Sequence, residues 1–180
     1  MGLILCLETA TKNCSVALSE HGSVIAFKEI TTEGYSHAEN LHIFIKDVMD
    51  LASKEMQELD AIAVSKGPGS YTGLRIGVSS AKGLCYSLDI PLISIETLDV
   101  LAQQVKDDTT IIPLLDARRM EVYSAIYDVH KNRLRKTEAQ ILDEHSFLQH
   151  LSEMKTTFIG DGVAKFKEIC NHSNALFITD

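Results

Sequence analysis

Short apolar runs near the start of the chain predict a sheet. Residues 3–9 form a nearly continuous apolar run, which is typical of a buried strand, and residues 14–19 alternate apolar and polar side chains. A turn at residues 20–23 separates this second run from a third one at 24–31. The opening of the chain therefore predicts three short antiparallel strands.

The pattern then changes from the period of a strand to the period of a helix. Ser36 is predicted to cap a helix, because apolar residues follow it at spacings of three and four: Leu41, Phe44, Ile45, Val48 and Ala52. Three further residues widen this apolar stripe, namely Ile43, Met49 and Leu51. A helix with so broad an apolar face either lies deep in a core or contacts a partner.

The same order of elements occurs twice along the chain. The first half continues with a strand at 61–65, a helix at 72–88, a strand at 92–95 and a short helix at 97–105. After the charge-rich residues 106–110 the order begins again, with strands at 111–116, 121–129 and 134–142, a helix at 143–153, a strand at 157–159 and a helix at 163–170. The repeat predicts an α/β protein with two similar subdomains, residues 1–105 and 106–180. We expect nothing to cover the final apolar run at 176–178, which predicts a C-terminus that is truncated or completed by a partner.

Composition and charge exclude several classes of protein. The 180 residues are 45% hydrophobic, without low-complexity tracts, which predicts a fully folded globular chain. With 25 acidic and 17 basic residues the net charge is −8, so the chain is a poor stand-alone binder of nucleic acid, whose phosphates attract Lys and Arg. No run approaches the roughly 18 apolar residues of a membrane span. The four cysteines include no C-x-x-C pair, so we expect reduced thiols in a cytoplasmic protein.

A glycine-rich loop at residues 66–77 is the most distinctive segment of the chain. It leads from a predicted strand into a predicted helix, and Pro68 stands among its glycines Gly67, Gly69 and Gly73. The start of a helix after such a turn presents free N–H groups, at which an anion or a partner's carboxylate can dock. The spacing differs both from the phosphate loop of NTPases and from the dinucleotide-binding fingerprint. The loop therefore predicts a special turn rather than a particular cofactor.

Three segments together carry a resemblance to a known family. The glycine loop at 66–77, the run Leu-Glu-Thr-Ala-Thr at 7–11 and the run Leu-Asp-Ala-Arg-Arg-Met-Glu-Val-Tyr at 115–123 closely resemble the bacterial TsaB (YeaZ) family. The resemblance covers essentially the whole chain. It implies the fold of actin, Hsp70 and sugar kinases, which has two similar actin-like (ribonuclease H-like) subdomains. Each subdomain is expected to hold a mixed sheet with three antiparallel strands followed by alternating helices and strands.

The resemblance also implies a function. Proteins of this family are expected to act as a non-catalytic scaffold and activator in threonylcarbamoyl transfer to adenosine, in tRNAs that read codons beginning with adenine. The implied partners are the paralogous catalytic subunit TsaD and the ATPase TsaE, with tRNA contacted only indirectly through the complex. A homodimer that uses the same surface as the TsaD contact is a further expectation, and no membrane contact is expected.

Two parts of the sequence decide whether the chain keeps catalytic equipment. Where the catalytic paralogue carries two metal-binding histidines, this chain has Thr97 and Leu101, neither of which is a usual ligand of iron or zinc. Glu8 stands where kinases and ATPases of the fold place a metal-binding Asp, and Gly160-Asp161-Gly162 resembles a second nucleotide loop. Both carboxylates either bind Mg-nucleotide or accept hydrogen bonds from nearby turn N–H groups.

These residues leave an alternative function open. The chain is either an accessory subunit that binds ATP or ADP weakly, or only at a complex interface, or a small ATP-binding enzyme of the actin-like fold. The candidate anion or nucleotide site consists of the residues Glu8, Gly67, Gly69, Gly73, Arg75, Gly160, Asp161 and Gly162. No catalytic residue and no metal ligand is assigned.

The two long helices of the first half are the predicted partner surface. The resemblance implies that residues 36–53 and 72–88 pack against the same helices of the partner. The residues assigned to this contact are Leu41, Ile45, Met49, Gly77, Ala81 and Leu84. The alternative is that the same stripes face their own sheet. On the partner interpretation, Ile45→Glu or Ala81→Arg is expected to leave the chain folded and to abolish partner binding.

Several arginines have two open interpretations. Arg75 either pairs with an external carboxylate or phosphate, or braces Glu96 or Asp99. Arg118 and Arg119 follow Asp116, which favours local ion pairs over contact with RNA. The most basic patch is predicted on a hairpin, at Lys131, Arg133, Arg135 and Lys136.

Overall fold

A computed structural model describes residues 2–31 and 37–179 of the chain, in two units, Met1–Thr97 and Leu98–Asp180. The predicted helix cap at Ser36 lies outside the described residues. The sequence placed the boundary between the units after residue 105. The structure places it earlier, because the helix that begins at Thr97 packs its apolar side chains into the core of the second unit.

The first unit holds a five-stranded mixed sheet. Its strands are β1 (Leu3–Glu8), β2 (Asn13–Glu20), β3 (Ser23–Thr31), β4 (Ala61–Ser65) and β5 (Leu92–Ile95), in the order β3-β2-β1-β4-β5. β1, β2 and β3 pair antiparallel, as predicted, and β4 and β5 extend the sheet in parallel with β1. Its helices are α1 (His37–Leu51) and α2 (Tyr71–Leu88), and a short 3₁₀ turn covers Met56–Glu58.

The core of the first unit lies between this sheet and the two helices. Leu5 and Leu18 on the sheet have no exposed surface, and Leu41 of α1 and Ala81 of α2 belong to the same buried cluster. The alternation along β1 places Leu3, Leu5 and Leu7 in this core. The apolar stripe of α1 is therefore used to cover the sheet of its own unit.

The second unit repeats the topology of the first. Its strands are β6 (Thr110–Asp116), β7 (Glu121–Tyr127), β8 (Arg133–Ile141), β9 (Thr156–Ile159) and β10 (Ala175–Ile178), in the order β10-β9-β6-β7-β8. Its helices are α3 (Thr97–Gln104), α4 (Leu148–Glu153) and α5 (Val163–Ile169). Counted within each unit, both sheets have the order third, second, first, fourth and fifth strand, which confirms the predicted duplication.

Two predictions for the second unit differ from the structure. The apolar run at 176–178 is covered in part, because β10 pairs in parallel with β9 and the ring of Phe177 stacks on Phe158 at 5.6 Å between centroids, whereas Leu176 remains 36% exposed. The helix predicted from residue 143 begins only at Leu148. The side chain of Asp143 accepts hydrogen bonds from the backbone N–H of His145 and the hydroxyl of Ser146, which holds a turn in front of the helix.

Within the described part of the chain, no helix has both the length and the apolar composition that crossing a membrane requires.

Candidate functional site

The glycine loop between β4 and α2 is held by backbone hydrogen bonds to its own unit. The N–H of Lys66 donates to the carbonyl of Ile95 at 2.8 Å, and the carbonyl of Gly67 accepts from the N–H of Thr97 at 3.0 Å. Gly67 has a φ of +109°, in the region that favours glycine. These contacts tie the loop to the end of β5, so the predicted special turn is confirmed.

The other side of the loop lies against the turn that follows β1. The N–H of Ser70 donates to the carbonyl of Ala10 at 2.6 Å. A Cβ on Gly69 would stand only 2.3 Å from that carbonyl oxygen, so the close approach requires glycine. Ser70 then caps α2, because its hydroxyl accepts from the N–H of Gly73 at 3.2 Å.

Gly73 and Gly77 of α2 pack against Thr9, the residue that follows β1. A Cβ on Gly73 would stand 2.1 Å from the carbonyl oxygen of Thr9, and a Cβ on Gly77 would stand 2.2 Å from the Thr9 hydroxyl. That hydroxyl donates to the carbonyl of Gly73 at 2.8 Å. The glycines therefore let α2 approach the end of β1.

This packing corrects the predicted partner surface. The structure buries five of its six residues in the core of the first unit and leaves Leu84 half-buried; the buried ones are Leu41, Ile45, Met49, Gly77 and Ala81. The physical reason is that the buried leucines of the sheet need an apolar cover, and these stripes supply it. The alternative interpretation, in which the stripes face their own sheet, describes the structure.

The outer face of α2 presents a different set of side chains. Tyr71 is 75% exposed and Tyr86 is 91% exposed. Arg75 lies between them; its Nη1 donates to the Tyr71 hydroxyl at 3.2 Å, and its guanidinium lies 5.3 Å from the centre of the Tyr71 ring. A groove of about 400 Å³ follows this face, lined by Tyr71, Thr72, Arg75, Ile76, Ser79 and Ser80. We call these residues, together with Tyr86, the α2 outer face.

Side chains of α1 border the α2 outer face. The Nε2 of His42 lies 3.2 Å from the hydroxyl of Ser80, which links the two helices at the surface. Ile43 of α1 is 56% exposed. The apolar stripe of α1 therefore has a buried part, which includes Leu41 and Ile45, and an exposed part, which includes Ile43.

The two carboxylates predicted as partners of Arg75 are each engaged by other residues. The carboxylate of Glu96 lies 3.7 Å from Nζ of Lys66, and Asp99 accepts hydrogen bonds from Tyr127 and Arg133. The sequence carried a signal for the actual arrangement, since Tyr71, Arg75 and Tyr86 have the spacing of one helix face.

The carboxylate of Glu8 is engaged by its own unit through both oxygens. Oε1 accepts from the N–H of Ala10 at 2.6 Å, and Oε2 accepts a short hydrogen bond from the hydroxyl of Ser65. Of the two interpretations of Glu8, the structure thus shows the hydrogen bond to a turn N–H. Ser65 is a partner that the sequence analysis missed, and it stands at the end of the neighbouring parallel strand.

The loop Gly160-Asp161-Gly162 shows the same kind of packing in the second unit. The Asp161 carboxylate accepts from the N–H of Asp116 at 2.8 Å, and the N–H of Gly162 donates to the carbonyl of Leu114 at 3.0 Å. A Cβ on Gly160 would stand 2.5 Å from that same carbonyl oxygen. The loop is built to pack on the end of β6.

Asp116 anchors the turn between β6 and β7. Its Oδ1 accepts from Nζ of Lys165 at 2.9 Å, and the same ammonium donates to the carbonyl of Glu121 at 2.9 Å. Burial by itself raises the pKa of the Asp116 carboxyl. The pKa is nevertheless held below its ordinary value, because the carboxylate accepts hydrogen bonds from Lys165 and from the backbone N–H of Arg118 and lies near their positive charges. Lys165 was not identified from the sequence, because it stands 49 positions from its partner.

Comparisons with known proteins place this geometry in a family. The model of a family described as "TsaD: tRNA N6-adenosine threonylcarbamoyltransferase" matches residues 31–178. The protein named tRNA threonylcarbamoyladenosine biosynthesis protein TsaB of Escherichia coli is 34% identical over 157 residues, which are 83% of this chain and 67% of that protein. The chain belongs to the TsaB (YeaZ) family. The TsaB of Bacillus subtilis is 37% identical over 152 residues, 84% of this chain and 65% of the relative. The chain thus spans about two thirds of the length of these two relatives.

A solved structure shows the same fold as this TsaB-family chain. The crystal structure of a Pseudomonas aeruginosa protein, described as having similarity to peptidase YEAZ, superposes with a TM-score of 0.87 and 25% identity. That comparison covers all of this chain and 85% of the other. The predicted fold class, two similar actin-like subdomains with mixed sheets, is confirmed.

Proposed function

We propose that this chain is an accessory subunit in the biosynthesis of threonylcarbamoyladenosine in tRNA, and that it binds a paralogous catalytic subunit, TsaD. The names of the relatives from E. coli and B. subtilis support the pathway. The match of a threonylcarbamoyltransferase family model to residues 31–178 supports the pairing, because two chains of one fold can pack through equivalent helices.

The α2 outer face is the observation that carries this proposal. Tyr and Arg are the residue types that dominate binding energy at protein interfaces, and Tyr71, Arg75 and Tyr86 stand exposed on one helix. Ile43 of α1 adds exposed apolar surface beside them. Such a face suits a partner helix that brings apolar side chains and a carboxylate for Arg75.

The test is reconstitution with TsaD. The chain and TsaD are mixed and separated by size-exclusion chromatography, and the affinity is measured by calorimetry. Tyr86→Ala and Arg75→Glu are each expected to weaken the complex at least about 30-fold, the effect of losing one hot-spot side chain. Phe27→Ser is the matched control, since Phe27 is 62% exposed on β3 and outside the α2 outer face.

The outcomes distinguish a failure of the proposed function from a failure of the proposed docking surface. If the unaltered chain forms no complex with TsaD and adds nothing to modified-nucleoside formation on tRNA, the proposed function is wrong. If the complex forms and both α2 variants bind as tightly as the unaltered chain, the function stands and the docking surface is wrong.

We further propose that nucleotide is not held tightly by the chain alone. Glu8 already accepts two hydrogen bonds from its own unit, and Asp161 accepts one from the N–H of Asp116, so neither carboxylate is free of local donors. Calorimetry with Mg-ATP and Mg-ADP tests this directly. Tight binding followed by turnover would favour the alternative function, a small ATP-binding enzyme.

The remaining expected contacts are part of the same proposal. TsaE is expected to bind the assembled pair, tRNA is expected to be reached through the complex, and the work is expected to take place in the cytoplasm. In the absence of TsaD, two copies of the chain are expected to associate through the α2 outer face. Light scattering over a concentration series checks this, and Tyr86→Ala should shift the distribution towards the monomer.

A further inference from the structure

The hairpin tip between β6 and β7 carries two arginines in an unfavourable backbone conformation. Arg118 has a φ of +72° and Arg119 a φ of +48°, and both side chains are exposed. The N–H of Glu121 closes the tip on the carbonyl of Arg118 at 3.0 Å. Glycine or asparagine occupies such positions with less strain than arginine, so the backbone gives no reason for arginine here. Strain of this kind is typical of functional sites.

The carboxylate of Asp116, below the tip, has Lys165 as its ion-pair partner, and the charge of Arg118 adds only a further, smaller attraction. The Asp116 carboxylate is neutralised by Lys165 at 2.9 Å and also accepts from the backbone N–H of Arg118. Within residues 2–31 and 37–179, neither arginine side chain has a hydrogen bond or an ion pair to an acceptor. The local ion pair predicted for these residues is therefore made by Lys165 instead.

The other basic patch of the second unit is used internally. Arg133 bonds Asp99, and Arg135 donates to Ser124 and Gln140 while its guanidinium lies 5.6 Å from the centre of the Phe147 ring. Lys131 donates to the carbonyl of Gln103 at 2.9 Å. The guanidinium groups of Arg133 and Arg135 are thus engaged within the second unit, whereas Arg118 and Arg119 at the hairpin tip are exposed to solvent.

We propose that, within the assembled complex, Arg118 and Arg119 themselves contact phosphates of the tRNA backbone, in place of the purely indirect contact that the family resemblance implies. The inference rests on the proposed function, which supplies the RNA. A guanidinium presents a planar fork of donors that matches two phosphate oxygens, and it needs no particular base. Two adjacent forks at the tip of a hairpin fit neighbouring phosphates of one strand. With a net charge of −8 the chain adds a few such contacts to an assembled complex and does not capture tRNA unaided at physiological salt, although its phosphate contacts strengthen as the salt concentration falls.

The decisive variant is Arg118→Asn combined with Arg119→Gly. It removes both cations and at the same time places residues that tolerate positive φ at the tip, so loss of folding does not confound the result. The second unit of this variant is expected to melt at a higher temperature than that of the unaltered chain. Arg118→Lys with Arg119→Lys keeps the charge and the strain, and Lys136→Gln removes an exposed cation elsewhere in the second unit.

The measurement is the affinity of the complex with TsaD for unmodified tRNA at several salt concentrations. For the double Asn/Gly variant we expect weaker binding, with the slope of log K against log salt reduced by about one for each arginine lost. The Lys pair should keep the slope, and Lys136→Gln should behave like the unaltered chain. Complex formation is verified first by size-exclusion chromatography, so that a failure of the proposed pairing is seen separately.

If pairing with TsaD fails, the same titration is made on the chain alone at low salt, where the difference in slope remains the criterion. An unchanged slope and affinity in the Asn/Gly variant overturn the inference. It is also overturned if that variant keeps its tRNA affinity and loses only its association with the ATPase partner, since the arginines would then bind a protein carboxylate.

Discussion

Two glycines of α2 are expected to respond oppositely to the same substitution. Gly73→Ala places a methyl group 2.1 Å from the carbonyl oxygen of Thr9, whereas Gly83→Ala places one in open space, with nothing within 4 Å. Both residues lie in the same helix, Gly73 in its first turn and Gly83 in its interior, so the gain in helix propensity is at most about 1 kcal/mol for each. The difference between the variants therefore isolates the contact of α2 with the end of β1.

The magnitude follows from the distances. Ordinary contacts of a Cβ begin at about 3.4 Å, so α2 and the backbone of Thr9 must separate by more than an ångström, which also stretches the hydrogen bond from the Thr9 hydroxyl to Gly73. Overpacking of this kind destabilises by about 1–3 kcal/mol, and the lost hydrogen bond adds about 1 kcal/mol. Replacing glycine by alanine in a helix returns about 1 kcal/mol. Gly73→Ala should thus destabilise by about 1–3 kcal/mol and Gly83→Ala should stabilise by about 0.5–1 kcal/mol.

Urea unfolding followed by circular dichroism measures both variants against the unaltered chain. The two units can unfold separately, so the transition of the first unit is identified by its response to the substitutions. Equal midpoints for the two variants, or a stabilised Gly73→Ala, would show that α2 does not rest on the end of β1.

Three further outcomes are expected. Ile45→Glu should unfold the first unit, because it buries an unpaired charge. Ile43→Glu, on the exposed side of α1, should keep the melting temperature and weaken the proposed TsaD complex. Circular dichroism measures the folding of both variants, and size-exclusion chromatography measures their binding to TsaD. The pKa of the Asp116 carboxyl is lower in the folded than in the unfolded state, where it is about 3.9, so Asp116 stabilises the fold above that pH. This stabilisation is lost as the pH falls through the folded pKa. In Asp116→Asn, the urea midpoint measured at a series of pH values should therefore fall less steeply on the acid side. Burial and the hydrogen bond to Asp99 raise the pKa of Tyr127 in the folded state. The stabilisation that Tyr127 provides is therefore present below the unfolded pKa of about 10 and is lost as the pH rises above it. Tyr127→Phe should destabilise the protein by about 1 kcal/mol at neutral pH and should remove this loss of stability at alkaline pH.

The fold was largely predictable because its elements have strong periods. The alternation of β2 and the helical spacing of α1 identify both elements, and the repeated order of elements identifies the duplication. The start of α4 was missed because the Asp143 side chain forms local hydrogen bonds that compete with the first helical turn. The position of β10 was missed because a short apolar strand at a sheet edge does not indicate which strand it pairs with.

The candidate site was less predictable, since period alone does not say what a helix face contacts. The stripe of Gly73, Gly77 and Ala81 is equally suited to a partner helix and to a strand of the same unit. The contact that decides between them is made with Thr9, which stands 64 positions before Gly73 in the sequence. The helical spacing of Tyr71 and Tyr86 is visible in the sequence, but that spacing alone does not show that both rings are exposed.

The two units use glycine in the same structural way, and this bears on what the loops are for. In the first unit, the loop after the fourth strand packs Gly69 against the carbonyl of Ala10, just beyond the first strand. In the second unit, the loop after the fourth strand packs Gly160 and Gly162 against the carbonyl of Leu114 in the first strand. Because both loops are shaped by this packing, their glycines alone do not indicate a bound phosphate. What differs is the helix that follows, which has 18 residues in α2 and 7 in α5. Only the first loop therefore directs a long helix, and this supports the proposal that the first unit carries the docking face.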